Sequence, residues 1–381
     1  MNIRFKNYIK LFFSVIILFN SINTSILNAQ GFRGYYQYPD IHDNTIVFTS
    51  EGDIWKVSVN GGLAQRLTTH PEEERYANIS PDGKTLAYSA SYEGPTEIYT
   101  MPINGGITTR WTYESETSSV TNWSSDNKII YQTQAYNKLP DEQLVTIDLK
   151  TKIKSVVPLY QASEGTQNEK GDWIFIRPAD HGDAAKRYVG GTARQIWKFD
   201  GNNEAVKLTN NYDGESHKPM WYDGRVFFIS DRDGIMNIWS MDSDGNDLAQ
   251  HTKHEEYDVR YANIYDGKIV YQHAADIWLL DVSTGSYNKI NISLASDLDQ
   301  LREKWDENPS RYITSVSSDP NGEKIVVTAR GRVFVVPVKT GRTISFTENK
   351  GVRYRDAIFS HDGKEIITLS DESGEFEFIK L

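Results

Sequence analysis

Residues 51–62 read Glu51-Gly52-Asp53-Ile54-Trp55-Lys56-Val57-Ser58-Val59-Asn60-Gly61-Gly62, and the fold is decided by how often this string returns. Its second copy is Glu97-Ile98-Tyr99-Thr100-Met101-Pro102-Ile103-Asn104-Gly105-Gly106, and the two Asn-Gly-Gly turns lie 44 residues apart. Asn-Gly suits a tight hairpin whose central residues need positive φ, so each copy ends at a turn between antiparallel strands. Upstream of the two copies stand Thr45-Ile-Val-Phe-Thr49 and Thr85-Leu-Ala-Tyr-Ser89; downstream follow Gln65-Arg66-Leu67-Thr68 and Thr109-Arg110-Trp111-Thr112. A second turn precedes the apolar strand of most units, as in Ser80-Pro81-Asp82-Gly83, Asp223-Gly224, Asp266-Gly267, Asn321-Gly322 and His361-Asp362-Gly363.

The third strand of each unit is a ruler. Its pair of apolar residues recurs as Ile54-Trp55, Ile98-Tyr99, Leu144-Val145, Ile196-Trp197, Ile238-Trp239 and Ile277-Trp278, at spacings of 44, 46, 52, 42 and 39. A seventh pair, Val333-Phe334, follows only after 56. Alternation with period two marks these stretches as strands. Four short strands per 40 to 45 residues with hairpins at fixed offsets is the pattern of a β-propeller, whose blades pack face to face. A stacked β-helix has shorter repeats and lacks these hairpins. The expected fold is all-β: a six-bladed β-propeller of four-stranded antiparallel blades over 30–290, followed by an incomplete second propeller. The strand-three aromatics then fill the space between blades. The stretch Ser293 to Tyr312 breaks the β pattern and carries a helical start from Asp297 to Trp305, so 291–312 reads as a connector. Residues 313–381 read as the first one to two blades of a truncated second ring. A blade cannot bury its faces alone, so the chain is expected to be the N-terminal part of something longer. Gly31 to Gln37 could complete the last blade of the first ring, and its pattern leaves that open.

Composition narrows the function. The 381 residues include 22 Tyr, 15 Phe and 9 Trp but no Cys, which excludes disulfide scaffolds, thiolate metal sites and a cysteine nucleophile. A net charge of −11 argues against a non-specific nucleic-acid binder. The first residues carry Arg4, Lys6 and Lys10, then the apolar run Leu11 to Phe19, then a polar stretch to Ala29. Nine apolar residues are too few to span a bilayer but suit a signal peptide, here 1–29. The expected location is periplasmic or secreted, with no membrane span after cleavage.

The Asp-Ile-Trp strands and the Ser80-Pro-Asp-Gly83 and Ser360-His-Asp-Gly363 turns resemble TolB-type repeats. More specific is Tyr188-Val-Gly-Gly-Thr-Ala-Arg-Gln-Ile-Trp197 in the fourth blade, together with Arg302-Glu-Lys-Trp305 and Asn308-Pro309 in the connector. These resemble the tricorn protease family, over residue 31 to the end of the chain. The resemblance implies a large homo-oligomeric serine peptidase acting on oligopeptides. Its layout is a six-bladed propeller, a seven-bladed propeller, a PDZ-like domain and catalytic domains with Ser and His. The propellers are expected to channel or filter peptides, with partners in peptides and in downstream catalytic domains. The signal peptide departs from the best-known members, which are cytoplasmic.

Within these residues there is no Gly-x-Ser-x-Gly elbow, no His-Glu-x-x-His and no glycine-rich phosphate loop. No catalytic residue, cofactor or metal is expected. His251 and His254 are three apart, but they fall in the loop that holds His70 in the first unit. The run Asp242-Ser-Asp244-Gly245-Asn-Asp247 places its Gly too early for a calcium loop and matches the hairpin position of the first units. The first strand of each blade faces the axis of a propeller. Glu74, Arg75 and Tyr76, Glu215 and His217, Asp258 and Arg260, and Arg353 and Arg355 are therefore candidates to line it and grip peptide termini. Arg187 and Arg194, beside Gly190-Gly191, are expected to serve the fold or an interdomain contact and not catalysis. The alternatives are a stand-alone TolB-type binding or scaffolding propeller, and the propeller cap of a prolyl-oligopeptidase-like enzyme.

Overall fold

The computed structural model describes residues 33–178, 186–299, 305–306, 308–347, 349 and 351–381; the expected leader over 1–29 lies outside them. The chain forms two compact units, 1–300 and 301–381. Among the described residues of the first unit, six antiparallel sheets follow one another: sheet 1 (37–66), sheet 2 (74–110), sheet 3 (118–156), sheet 4 (163–207), sheet 5 (216–250) and sheet 6 (259–289). Each is built from four strands paired in chain order, as short hairpin connections dictate.

The strand-three pairs explain why the ruler works. Successive residues of a strand point to opposite faces, so each pair sends one side chain to each side of its sheet. Ile54 packs with Leu86 and Tyr88 of sheet 2, whereas Trp55 packs with Phe48 of its own sheet and Ile277 of sheet 6. The same division holds around the ring. Ile98 joins the cluster shared with sheet 3, Leu144 that with sheet 4, Ile196 that with sheet 5, and Ile238 that with sheet 6. Ile277 closes the ring onto sheet 1. The aromatics are therefore interblade core, as their periodicity implies. Trp55 is wholly buried, and its indole Nε1–H donates to the Ser50 carbonyl at 2.9 Å.

Closure of the ring was not legible in the pattern. Among the described residues no strand is exchanged within a blade. Instead Ile292–Leu294 returns to the outer edge of sheet 1 and pairs in parallel with Gly62–Arg66. The expected connector thus begins with a strand of the ring. Gly62 N–H donates to the Asn291 carbonyl at 2.9 Å. Gly61 sits at φ +78°, and a Cβ there would stand 2.4 Å from that same oxygen. The returning strand therefore requires glycine in the Asn60-Gly61-Gly62 hairpin. At the other end, residues 33–36 add no strand to the last blade but bridge sheets 1 and 6. Arg33 pairs with Asp276 at 2.6 Å, Tyr36 N–H donates to the Ala275 carbonyl at 3.1 Å, and Tyr36 OH donates to the Ile292 carbonyl at 2.9 Å.

Of the helical start expected over Asp297 to Trp305, Asp297 and Leu298 are not helical, Asp299 stands in a 3-10 turn, and residues 300–304 lie outside the described set. Leu298 is left-handed at φ +56°, and its N–H donates to Ser296 Oγ at 2.9 Å. Asp299 meets Arg66 at 3.2 Å. The second unit holds a four-stranded sheet (313–345) and a three-stranded sheet (354–380), which share a core of Val326, Val333, Tyr354, Ala357 and Ile366.

Candidate functional site: a polar cavity on the ring axis

The innermost strands of the six sheets pack side by side, and five of them carry the same irregularity. Tyr38, Tyr76, Glu164, Lys218 and Tyr261 all lie in the left-handed region, at φ +46° to +54°, where the strand pairing skips. Non-glycine residues adopt this conformation only when the surroundings enforce it, and such residues gather at functional sites. A bulge also re-aims the side chain it carries. Neighbouring inner strands are tied across the bulges. Asp40 Oδ2 accepts from Ile79 N–H at 2.7 Å, Asn263 Nδ2 donates to the Pro39 carbonyl at 2.9 Å, and Thr121 Oγ1 donates to the Gly165 carbonyl at 2.9 Å.

Two different surfaces result. Tyr38, Tyr76 and Tyr261, from sheets 1, 2 and 6, meet as a cluster. Tyr38 lies 4.6 Å from Tyr76 and 4.5 Å from Tyr261 between ring centroids, within aromatic contact range. From sheets 4 and 5 come charges. Lys218 N–H donates to Glu164 Oε2 at 2.5 Å, and His217 Nδ1 stands 3.5 Å from the same oxygen. Burial opposes ionisation of Glu164, yet His217, Arg194 and Lys218 together hold its carboxyl down at about 2. Burial pushes the Lys218 ammonium below its ordinary value, with Glu164 and Asp40 opposing the shift.

Between these surfaces opens a cavity of about 520 Å³. Tyr76 and Tyr261 form part of its wall, with Lys218, His217, Arg260 and Arg194 on one side. On the other side the hairpin loop of sheet 3 supplies Asp141 and Glu142, beside Gln132, Gln134 and Gln161. Glu142 accepts from Gln132 Nε2 at 2.7 Å, and burial raises its carboxyl to about 7.

Of the residues singled out from sequence, His217, Arg260 and Tyr76 border this cavity. Glu74 does not: it is fully buried, accepts from Thr68 Oγ1 at 2.9 Å and Tyr92 OH at 2.6 Å, and burial pushes it up to about 8. Glu215 is likewise fully buried and holds Arg194 Nε at 2.6 Å, so Arg194 serves the fold and the cavity wall together. Both carboxylates point back into the blades because side chains alternate along a strand. Arg75 pairs with Glu73 at 2.5 Å, and Asp258 pairs with Lys186 at 2.5 Å; neither borders the cavity. Arg187 Nε donates to the Gly234 carbonyl at 2.9 Å. In the second unit, Arg353 borders a separate groove with Tyr312 and Arg330, and Arg355 lies 5.6 Å over the Phe376 ring.

Sequence reading missed Tyr38, Glu164, Lys218 and Tyr261. A signal was present: Tyr38-Pro39-Asp40-Ile41, Tyr76-Ala77-Asn78-Ile79 and Tyr261-Ala262-Asn263-Ile264 are one motif.

The histidines find other partners. His251 Nε2 lies 2.8 Å from Ser240 Oγ, but Ser240 is fully buried and also accepts from Arg225, so no substrate reaches it. His254 stacks on His273 at 3.8 Å between centroids and contacts Tyr271 OH at 3.1 Å. In the run from Asp242, Oδ1 accepts from Asp244 and Asn246 N–H at 3.0 and 2.8 Å, which makes it a self-capped turn.

Comparison with known proteins agrees with this architecture. The family model described as the Tricorn protease N-terminal beta propeller domain matches residues 33–286. The Tricorn protease homolog of Saccharolobus solfataricus is 29% identical over 362 residues, covering 89% of this chain and 32% of the relative. Tricorn protease homolog 1 of Streptomyces coelicolor is 28% identical over 350 residues, covering 90% of this chain and 32% of the relative. The crystal structure of the tricorn protease superposes with a TM-score of 0.77 at 21% identity, over 92% of this chain and 35% of that one. The chain thus spans about a third of the length of the curated relatives it matches. Six sheets in a closed ring, the axial bulges and the match over 33–286 lead to one assignment: the chain belongs to the tricorn protease N-terminal beta-propeller family.

Proposed function

We propose that this chain is the non-catalytic propeller region of a tricorn-like serine peptidase that degrades oligopeptides, and that its first ring filters or guides peptides. The observation that carries this reading is a polar cavity on the axis of a ring belonging to this family. The cavity walls offer charged groups, amides and tyrosine faces, which suit hydrogen bonding to peptide backbones and termini. The second unit is the start of a second ring, and the catalytic Ser and His reside in domains beyond it. The protein works as a homo-oligomer, and its basic and apolar leader directs export to the periplasm or beyond.

The test compares two proteins. The complete gene product is expected to hydrolyse oligopeptides and to be blocked by a serine-directed inhibitor. Residues 33–381 alone are expected to give no turnover of chromogenic peptides. Turnover by 33–381 that disappears on substitution of one of its serines overturns the reading, as does a complete gene product without peptidase activity.

A further inference from the structure

In sheet 1 the strand-three tryptophan carries a guanidinium. Arg66 lies 5.8 Å over the Trp55 ring and is neutralised by Asp53, the first residue of the strand that holds Trp55. Sheet 2 repeats the ion pair, with Arg110 on Glu97 at 3.0 Å. Sheet 4 keeps a cation and lacks the acid. Arg177 lies 5.2 Å over the ring of Trp197, the counterpart of Trp55, and 5.3 Å over that of Phe175. It comes from the last position of the second strand, where sheets 1 and 5 place Ser50 and Ser230. The counterpart of Asp53 is Gln195, directly across the ladder from Arg177. Its amide is committed elsewhere, donating to the Gly214 carbonyl at 2.6 Å and accepting from Thr209 Oγ1 at 2.7 Å.

Arg177 is half-buried, and its Nε–H donates to the Gln161 carbonyl at 2.7 Å. Among the described residues the fork of Nη1 and Nη2 has no acceptor and no carboxylate partner. Burial alone acts on this guanidinium and holds it below its ordinary value, whereas at Arg66 the pull of Asp53 and Asp299 outweighs burial. A half-buried cation without a counter-ion forfeits solvation that no partner returns. Arg177 borders a groove of about 820 Å³, within the roughly 300–1,000 Å³ of small-ligand pockets. Trp197, Phe199, Leu159 and Tyr160 give the groove apolar walls, and Asn202 and Asn203 add amides. Glu204 is the acid of this lining. Arg177 faces Gln195 at one end of the strand Gln195–Phe199, and the turn to Glu204 leaves from the other, about 13 Å away at roughly 3.3 Å per residue. One positive charge, remote from that acid, matches a monoanion. A phosphate or a dicarboxylate would bring a second charge that the groove does not meet. The planar fork fits a carboxylate, and the aromatic walls fit an apolar body behind it.

We propose that this groove of sheet 4, away from the axial cavity, binds small monocarboxylates with an aromatic body. The Arg177 fork takes the carboxylate, and the body lies along Trp197 and Phe199. The ligand's carboxylate stands where Asp53 stands in sheet 1. The site is independent of the peptidase reading.

Calorimetric titration of the full chain with 3-phenylpropionate tests the proposal, with 3-phenylpropionamide and inorganic phosphate as the uncharged and more highly charged comparisons. Saturable binding of the acid is expected, with the amide and phosphate at least tenfold weaker, following the strength of charge-assisted bidentate hydrogen bonds. Arg177→Met keeps an unbranched stem on the two rings and removes the fork, so the acid should fall to the level of the amide. Gln195→Glu restores the acid that sheet 1 carries at this position. Directly across the ladder, it is within reach of the guanidinium and should weaken the acid at least tenfold. Unfolding midpoints verify that both variants are folded, and the difference between acid and amide in the unaltered protein reads the site even where a variant does not fold. Equal binding of acid and amide overturns the proposal, as does phosphate binding as tightly as the acid. Unchanged binding of the acid by folded Arg177→Met or Gln195→Glu overturns it too, and so does the absence of saturable binding to the folded, unaltered chain.

Discussion

Gly61→Ala and Gly224→Ala form a matched pair that isolates the closure of the ring. Both glycines sit in hairpins at nearly the same backbone angle, φ +78° and +76°. An added Cβ at Gly224 meets nothing within 4 Å, whereas at Gly61 it meets the Asn291 carbonyl oxygen at 2.4 Å. The left-handed strain is therefore common to both and costs about 1–2 kcal/mol. Only Gly61→Ala also expels the returning strand. That strand buries Ile292 and Leu294, 8% and 1% exposed, each contributing about 1.5–3 kcal/mol. Its hydrogen bonds include Gly62 N–H to the Asn291 carbonyl and Tyr36 OH to the Ile292 carbonyl, worth about 1 kcal/mol each. Freeing three residues returns about 1–2 kcal/mol of chain entropy apiece. The net is about 2–3 kcal/mol beyond the shared strain, so Gly224→Ala should cost about 1–2 kcal/mol and Gly61→Ala about 3–5 kcal/mol. Urea unfolding measures both. Hydrogen exchange should show protection lost at 33–36 and 290–294 in Gly61→Ala alone. If the two variants lose the same stability to within about 0.5 kcal/mol, the parallel strand does not hold the ring shut.

Three further outcomes are expected. Arg194→Ala strands the fully buried Glu215 without its cation and should cost about 3–5 kcal/mol, while Arg75→Ala breaks only the exposed pair with Glu73 and should stay within about 0.5 kcal/mol; urea midpoints compare them. Glu74 has its carboxyl raised from about 4.5 to about 8, so folding favours its protonated form. Its contribution is full below about pH 4.5 and is lost as pH rises through about 8, and Glu74→Gln should flatten that decline in a pH series of unfolding midpoints. His254 runs the other way: burial, then the charge of the stacked His273, pushes it down to about 4, so its contribution is present above about pH 6.5 and is lost as pH falls toward 4. His254→Gln should lessen the acid sensitivity in the same series.

The blades were legible because each strand-three pair meets two neighbours at once, and that demand repeats at every unit. Ile54-Trp55 and Ile277-Trp278 look alike because both split their side chains between adjacent interfaces. Closure was hidden because Ile292-Ser293-Leu294 is too short to show a period, and its partner is set by a glycine hairpin far upstream. The candidate site was legible in part. His217 and Arg260 were found by strand position, but Glu74 and Glu215 were misplaced because alternation turns them into the blade. Lys218 and Glu164 escaped because a bulge breaks that alternation, and a simple count of residues along the strand does not reveal where.

The parallel strand at the edge of sheet 1 also sets a clock. Tyr36 and Ile292, which it brings together, are separated by 256 residues of chain. A ribosome adding about 5–20 residues per second needs on the order of 10–50 s to make that interval. Throughout it the first sheet exposes its outer edge and the face meant for the sixth, both of which invite pairing with other chains. The native ring cannot be completed blade by blade as it emerges, because its last contact awaits the end of its own synthesis. A first sheet that folds as it emerges therefore waits for its last partner with that edge open, and the edge is covered only once residues 292–294 have arrived.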